Sequence, residues 1–202
     1  LSPKLQELLA EYPTVHQREL AKGVSGGGRF VMALAQSHGI GNRVNTVTVA
    51  FALALVTRRA LIIQWDSRHR SYKSNATMLR KRLVRIRGVE DETCDPISID
   101  DIFHEPHGID WHGTSLASRY TDRKSCLRMD ADVLRVWGIH GSEDVARYRR
   151  LHEANFSNFH EHVQFVCMHT DRPVFWGVTC NPTMRHIFPH PWATYGALQD
   201  YL

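Results

Sequence analysis

Residues 30–65 read FVMALAQSHGIGNRVNTVTVAFALALVTRRALIIQW, and this stretch decides the fold. Phe30–Ala35 is an apolar run of strand length. Gln36–Arg43 follows with two glycines. Val44, Val47, Thr48, Phe51, Ala52 and Leu55 then recur at steps of three and four, which predicts a helix with one apolar face. Thr57-Arg58-Arg59 ends that helix, and Ala60–Trp65 reads as a second buried strand closed by Asp66. A strand–helix–strand unit of this kind predicts two parallel strands joined by a right-handed crossover.

Outward from this unit the pattern is weaker. Toward the amino end, Leu5–Leu9 and Arg18–Ala21 predict an amphipathic helical lead-in broken at Tyr12-Pro13. Gly23–Gly28 reads as a flexible connector. Residues 1–29 thus read as lead-in and connector, and residues 30–202 as the domain. Beyond it, Ser67–Gly88 is basic, with Arg80, Lys81, Arg82, Arg85 and Arg87. It suits a solvated face, or else a phosphate or membrane-surface patch. Asp95–Trp111 reads as a loop with a short helix around Ile99–Phe103, and Glu143–Phe156 as a helix. Val163–Met168 and Pro173–Thr179 read as strands, and Thr183–Phe188 as helical. Strand and helix runs alternate throughout, so the class is α/β.

Composition excludes more than it assigns. With 202 residues, 43% of them hydrophobic, the chain is long enough for one sizeable core and is not a disordered sequence. The 25 basic residues exceed the 21 acidic ones by four, enough to suit an anionic nucleotide but too few to require a nucleic-acid partner. No unbroken apolar run reaches the roughly 18–20 residues that span a bilayer. Cys94, Cys126, Cys167 and Cys180 lie far apart, without zinc spacing, and leave free thiols and one or two disulfides equally open. Thirteen histidines invite a metal reading, but His-Glu-x-x-His is absent and Pro106 separates His104-Glu105 from His107, so no metal is expected. The sequons Asn75-Ala76-Thr77 and Asn155-Phe156-Ser157 permit a secretory location, whereas Pro182 disqualifies Asn181-Pro182-Thr183. Trp111, Trp137, Phe175 and Trp176 are read as core rather than as sugar-stacking rings.

The chemistry concentrates in Ser37-His38-Gly39-Ile40-Gly41-Asn42-Arg43. Glycines between a strand and a helix let backbone N–H groups approach an anion closely. The helix adds its positive end at the same place. Arg43 can grip a phosphate with two parallel bonds, or form a salt bridge within the first helical turn. A dinucleotide-binding fingerprint would want a third glycine or alanine where the chain has Val44, although Asp66 stands where a ribose-binding carboxylate belongs.

Gly39-Ile40-Gly41-Asn42-Arg43 with Leu53–Ile63 resembles the G-L-G-N-R…ALLTxRxLLV block of the plant-type xyloglucan fucosyltransferase family. Asp100-Asp101-Ile102-Phe103-His104-Glu105-Pro106 is similar to that family's D-D-L-F-C-E-P, with His104 in place of its cysteine. Val174-Phe175-Trp176 and Ile187-Phe188-Pro189 resemble a later strand and its L-F-P element.

The resemblance implies a Rossmann-like open parallel sheet with flanking helices, one half of a two-domain GT-B arrangement. The implied activity is transfer of fucose from GDP-fucose to a glycan hydroxyl with inversion, without a metal or cofactor. Arg43, Asn42 and Asp66 are then the expected catalytic residues. His38, Gly39, Ile40, Gly41, Asn42, Arg43, Asp101 and Glu105 are the expected substrate contacts, although Asp101 and Glu105 also suit bracing a loop. Partners would be the sugar nucleotide and the glycan acceptor, in the Golgi lumen. A donor-binding second domain, a membrane tether and partner subunits would lie outside this sequence. A non-catalytic subunit built on the same half-fold, and a nucleotide-dependent oxidoreductase using Gly39, Gly41 and Asp66, are the competing expectations.

Overall fold

A computed structural model of the chain describes residues 1–35, 40–65, 98–116, 134–136, 151–159, 161–168 and 175–202. In chain order these hold α1 (Pro3–Lys22), β1 (Phe30–Ala35), α2 (Ile40–Thr57), β2 (Ala60–Trp65), β3 (Leu134–Val136), β4 (Phe165–Met168), α3 (Phe175–Thr179), a 3-10 turn (Pro182–Met184) and α4 (Pro191–Tyr201). The strands form one parallel sheet in the order β2-β1-β4-β3. The class is α/β, and the unit β1–α2–β2 stands within the boundaries its sequence predicts.

Residue parity divides the core. Val31, Ala33, Ala35, Leu61, Ile63, Val166 and Met168 face the helices, while Phe30, Met32, Leu34, Ile62, Phe165 and Cys167 face the other side. On that second face the Phe30 and Phe165 rings stack at 4.9 Å. Successive side chains of a strand point to opposite faces, so a six-residue apolar run can serve two layers at once.

Helix α2 is buried more widely than its six-residue stripe predicts, from Arg43 to Leu55 on almost every side. It lies between β1 and the helices α1, α3 and α4, so it has no solvent face along its middle. Its buried threonines are satisfied locally: Thr46, Thr48 and Thr57 donate to Asn42 O, Val44 O and Leu53 O at 2.9, 2.9 and 2.7 Å. By length and composition its 18 residues would also pass for a membrane span. The run-length reading missed this because threonines, asparagines and Arg43 interrupt the sequence. Burial within the domain is what identifies a core helix.

Helix α1 corrects the expected break. Ser2 caps it, its Oγ accepting from Leu5 N at 3.1 Å, and the helix continues through Pro13 to Lys22. Proline removes the amide that would bond Leu9 O. The Tyr201 hydroxyl of α4 donates to that carbonyl at 3.1 Å instead. Tyr12, next to the proline, packs edge-on against Phe51 of α2 at 5.1 Å, so α1 belongs to the main core. The glycine connector is likewise a close-packed turn. Gly28 N donates to Gly23 O at 2.8 Å, and a Cβ on Gly28 would sit 2.5 Å from Glu19 O.

Other boundaries move for local reasons. Arg59 Nη1 takes the Val163 carbonyl at 2.7 Å, and the ladder with β1 begins only at Phe165. Pro173–Thr179, read as a strand, is helical over Phe175–Thr179, because Phe175 and Val178 bury one helical face and Thr179 Oγ1 bonds back to Phe175 O at 3.0 Å. Ile99–Phe103 is one turn, with the amides of Ile102 and Phe103 sharing Ile99 O. The helix expected to reach Phe156 ends at residue 153, where Asn181 Nδ2 donates to Leu151 O and Ala154 O at 2.9 and 2.8 Å. Thr183–Phe188 is a 3-10 turn followed by turns, and α4 goes unanticipated. The basic stretch 67–88 lies outside the described residues.

Candidate functional site

The strand order places a topological switch point beside β1. The chain leaves β1 for β2 on one side, while β4 flanks the other. In open α/β sheets such a point opens a crevice outside the carboxyl ends of the strands. The residues there are the start of α2, the end of β2 at Trp65 and the end of β4 at Met168.

Ile40 is 46% exposed, Gly41 is exposed and Asn42 is half-buried. A Cβ added to Gly41 would meet nothing within 4 Å, so internal packing does not require glycine at this position. Among the described residues nothing crowds Gly41 in the first turn of this 18-residue helix, which carries no acidic residue there. The four leading amides of a helix have no partners within it, and its positive end favours an anion.

Arg43 turns inward. It is 8% exposed, and its guanidinium carbon lies 5.1 Å from the centre of the Trp65 ring, a cation–π contact across the ends of α2 and β2. The structure therefore brings Gly41, Asn42, Arg43 and Trp65 to one edge of the sheet. Trp65 was read only as a strand residue; its position just before Asp66, at the carboxyl end of β2, was the available signal. His38, Gly39 and Asp66 lie outside the described residues.

Asp101 and Glu105 are engaged elsewhere. Asp101 Oδ2 accepts from Ser98 N at 2.7 Å, and Glu105 Oε1 from Trp111 N at 3.1 Å. Both brace the segment 98–116, a strap along the outer edge of β2. Ile63 N donates to Trp111 O there at 2.7 Å, which covers a strand edge that would otherwise lie open. His16 pins the strap to α1 through Nε2, 3.0 Å from Asp110 O. Burial holds the His16 pKa below its ordinary value, against the opposing pull of the Asp110 carbonyl and charge.

The opposite, amino edge of the sheet holds a buried polar frame that sequence reasoning missed. The Tyr12 hydroxyl donates to Arg59 O at 3.1 Å and accepts from Leu61 N at 2.9 Å. Arg59 is fully buried and donates to Val163 O, Gln164 O and Phe159 O at 2.7, 3.2 and 3.4 Å. Burial, and next the nearby Arg29 charge, push its pKa down to about 10, with Glu19 acting in the opposite sense. Three carbonyl acceptors suit the charged form, which therefore persists at neutral pH. Glu19 is also shielded from solvent and accepts from Arg18, Lys22 and the Arg29 amide at 3.1, 2.8 and 3.1 Å. Burial, the largest single influence, opposes its ionisation, yet these bonds together hold its carboxyl below the ordinary value.

Of the aromatics read as core, Trp111 and Phe175 are buried. Trp176 is half-buried, with its ring 4.1 Å from that of Trp192, which is 77% exposed. Trp137 lies outside the described residues. Cys167, on β4, is disulfide-bonded, and Cys180 is free.

Comparison with protein-family models, with curated proteins and with solved structures finds no match to this chain.

Proposed function

We propose that the chain is the amino-terminal, Rossmann-like half of a GT-B glycosyltransferase of fucosyltransferase type. It would move fucose from GDP-fucose to a glycan hydroxyl with inversion, once a donor-binding domain outside this sequence is supplied. The observation carrying this reading is the start of α2, set at the switch point with no described residue crowding Gly41 and no acid in its first turn. Backbone amides and a helix end placed there suit the charge that develops on a departing diphosphate. In this scheme Arg43 adds a cation from beneath the turn, held by Trp65, and Asn42 bonds the donor or the reacting oxygen. The disulfide at Cys167 supports an oxidising compartment such as the Golgi lumen.

Calorimetry on the whole natural protein tests this. GDP and GDP-fucose are expected to bind and compete, and NAD to bind neither with nor against them. Binding of NAD alone would instead favour the oxidoreductase, although Val44, packed against the core, occupies the position where that fingerprint wants glycine or alanine.

One observation favours a second reading. Arg43 is buried against Trp65, as in a residue that ties α2 to β2. A non-catalytic subunit retaining this half-fold would keep that contact and bind none of the three nucleotides.

A further inference from the structure

The sequon Asn155-Phe156-Ser157 takes no part in the site at the carboxyl edge. Its three residues lie in the turn between the helical end at 151–153 and β4. Phe156 is buried in the main core, with its ring 5.0 Å from that of Phe159. Asn155 and Ser157, on either side, are exposed. Asn155 Oδ1 accepts from Ser157 N at 3.1 Å, and its Nδ2 has no hydrogen bond among the described residues. The apolar middle residue thus fixes the turn while the acceptor amide faces water.

The frame around it is firm. Asn181 holds the preceding carbonyls of Leu151 and Ala154, and Arg59 holds the following ones of Phe159 and Val163. Asn181 itself shows the opposite case. It also stands two residues before a threonine, but it is buried and both of its Nδ2 bonds are made inside the protein. An independent observation is the Cys167 disulfide, which suits folding in an oxidising compartment. Asparagine-linked glycosylation belongs to proteins that pass through such compartments.

We propose that Asn155 carries an N-linked glycan. The co-substrate is an oligosaccharide joined through a diphosphate to a polyprenol lipid. The Asn155 Nδ2 forms a bond to the anomeric carbon, the bond from that carbon to the diphosphate oxygen breaks, and the polyprenyl diphosphate leaves. One Nδ2 proton passes to a base of the transferring enzyme, and no atom is oxidised or reduced. Oδ1 is untouched and keeps its bond to Ser157 N. The turn feeds the amino end of β4, so the glycan stands at the edge of the sheet remote from Ile40–Arg43 and leaves that crevice open.

The test is to secrete the whole protein from eukaryotic cells and treat it with peptide N-glycosidase in heavy-oxygen water. Release of a glycan converts its asparagine to labelled aspartate. Label at position 155 in the wild type is expected, retained in N75Q and lost in both N155Q and S157A. A peptide spanning Asn155 that returns unmodified and unlabelled from secreted wild-type protein overturns the proposal. That measurement needs no variant, so a substitution that blocks secretion does not cloud the outcome.

Discussion

The two edges of the parallel sheet are built differently. At the amino edge Tyr12, Glu19 and Arg59 are buried and bonded several times over, and they tie α1, β1, β2 and the approach to β4 into one frame. At the carboxyl edge Ile40 and Gly41 are exposed, no described residue fills the space beside Gly41, and the Trp65 ring braces Arg43 from below. The contrast assigns stability to one end of the strands, and under the proposed function the other end receives the ligand. That division is what an open α/β sheet permits, because its helices cover the faces and only the loops at the ends vary.

The largest effect expected from breaking this contrast is at Arg59. Arg59→Met removes the donor to three buried or half-buried carbonyls and should destabilise the fold by about 3 kcal/mol, read from urea denaturation. Tyr12→Phe keeps the ring contact with Phe51 but loses both hydroxyl bonds. It should cost about 2 kcal/mol in the same assay, since Leu61 N and Arg59 O are left unpaired at a covered edge.

A smaller effect follows from pH. His16 and Glu19 both have depressed folded-state pKa values, so the unfolded chain binds more protons and stability rises with pH. The His16 contribution is fully present above its ordinary value of about 6.5 and is lost as pH falls below it. The Glu19 contribution is lost later, below about 4.5. Midpoints of urea unfolding measured from about pH 8 to about pH 2 should therefore fall in two stages. His16→Gln, which can still donate to Asp110 O, should remove the upper stage and leave the lower one.

Much of this frame was legible in sequence where the signal was local. Phe30–Ala35 is an unbroken apolar run and Ala60–Trp65 one interrupted only by Gln64, around a helix of clear period, and their boundaries hold in the structure. The break expected at Pro13 failed because its remedy, the Tyr201 hydroxyl, stands at the other end of the chain. Arg59 was invisible for the same reason: its acceptors lie about a hundred residues away. Pro173–Thr179 misled because β-branched and aromatic residues suit a strand, whereas packing against α2 selects a helix. Helix α4 did carry a usable signal, Pro191 at its first turn followed by Thr194, Leu198 and Leu202 on one face. Within the candidate site, Gly41, Asn42 and Arg43 were chosen from the loop pattern, but the Trp65 ring beneath Arg43 emerged only from strand pairing.

The most direct test of the division between the edges is Gly41→Ala, followed by denaturation and by calorimetry with GDP. A methyl group at this position meets none of the described residues and removes a helical glycine, so stability should hold or rise by up to about 1 kcal/mol. Under the proposed function the same methyl stands where a diphosphate would approach, and GDP affinity should fall by about tenfold or more, equivalent to about 1.4 kcal/mol. Unchanged GDP affinity in this variant, or a loss of stability matching the loss of binding, would contradict the account.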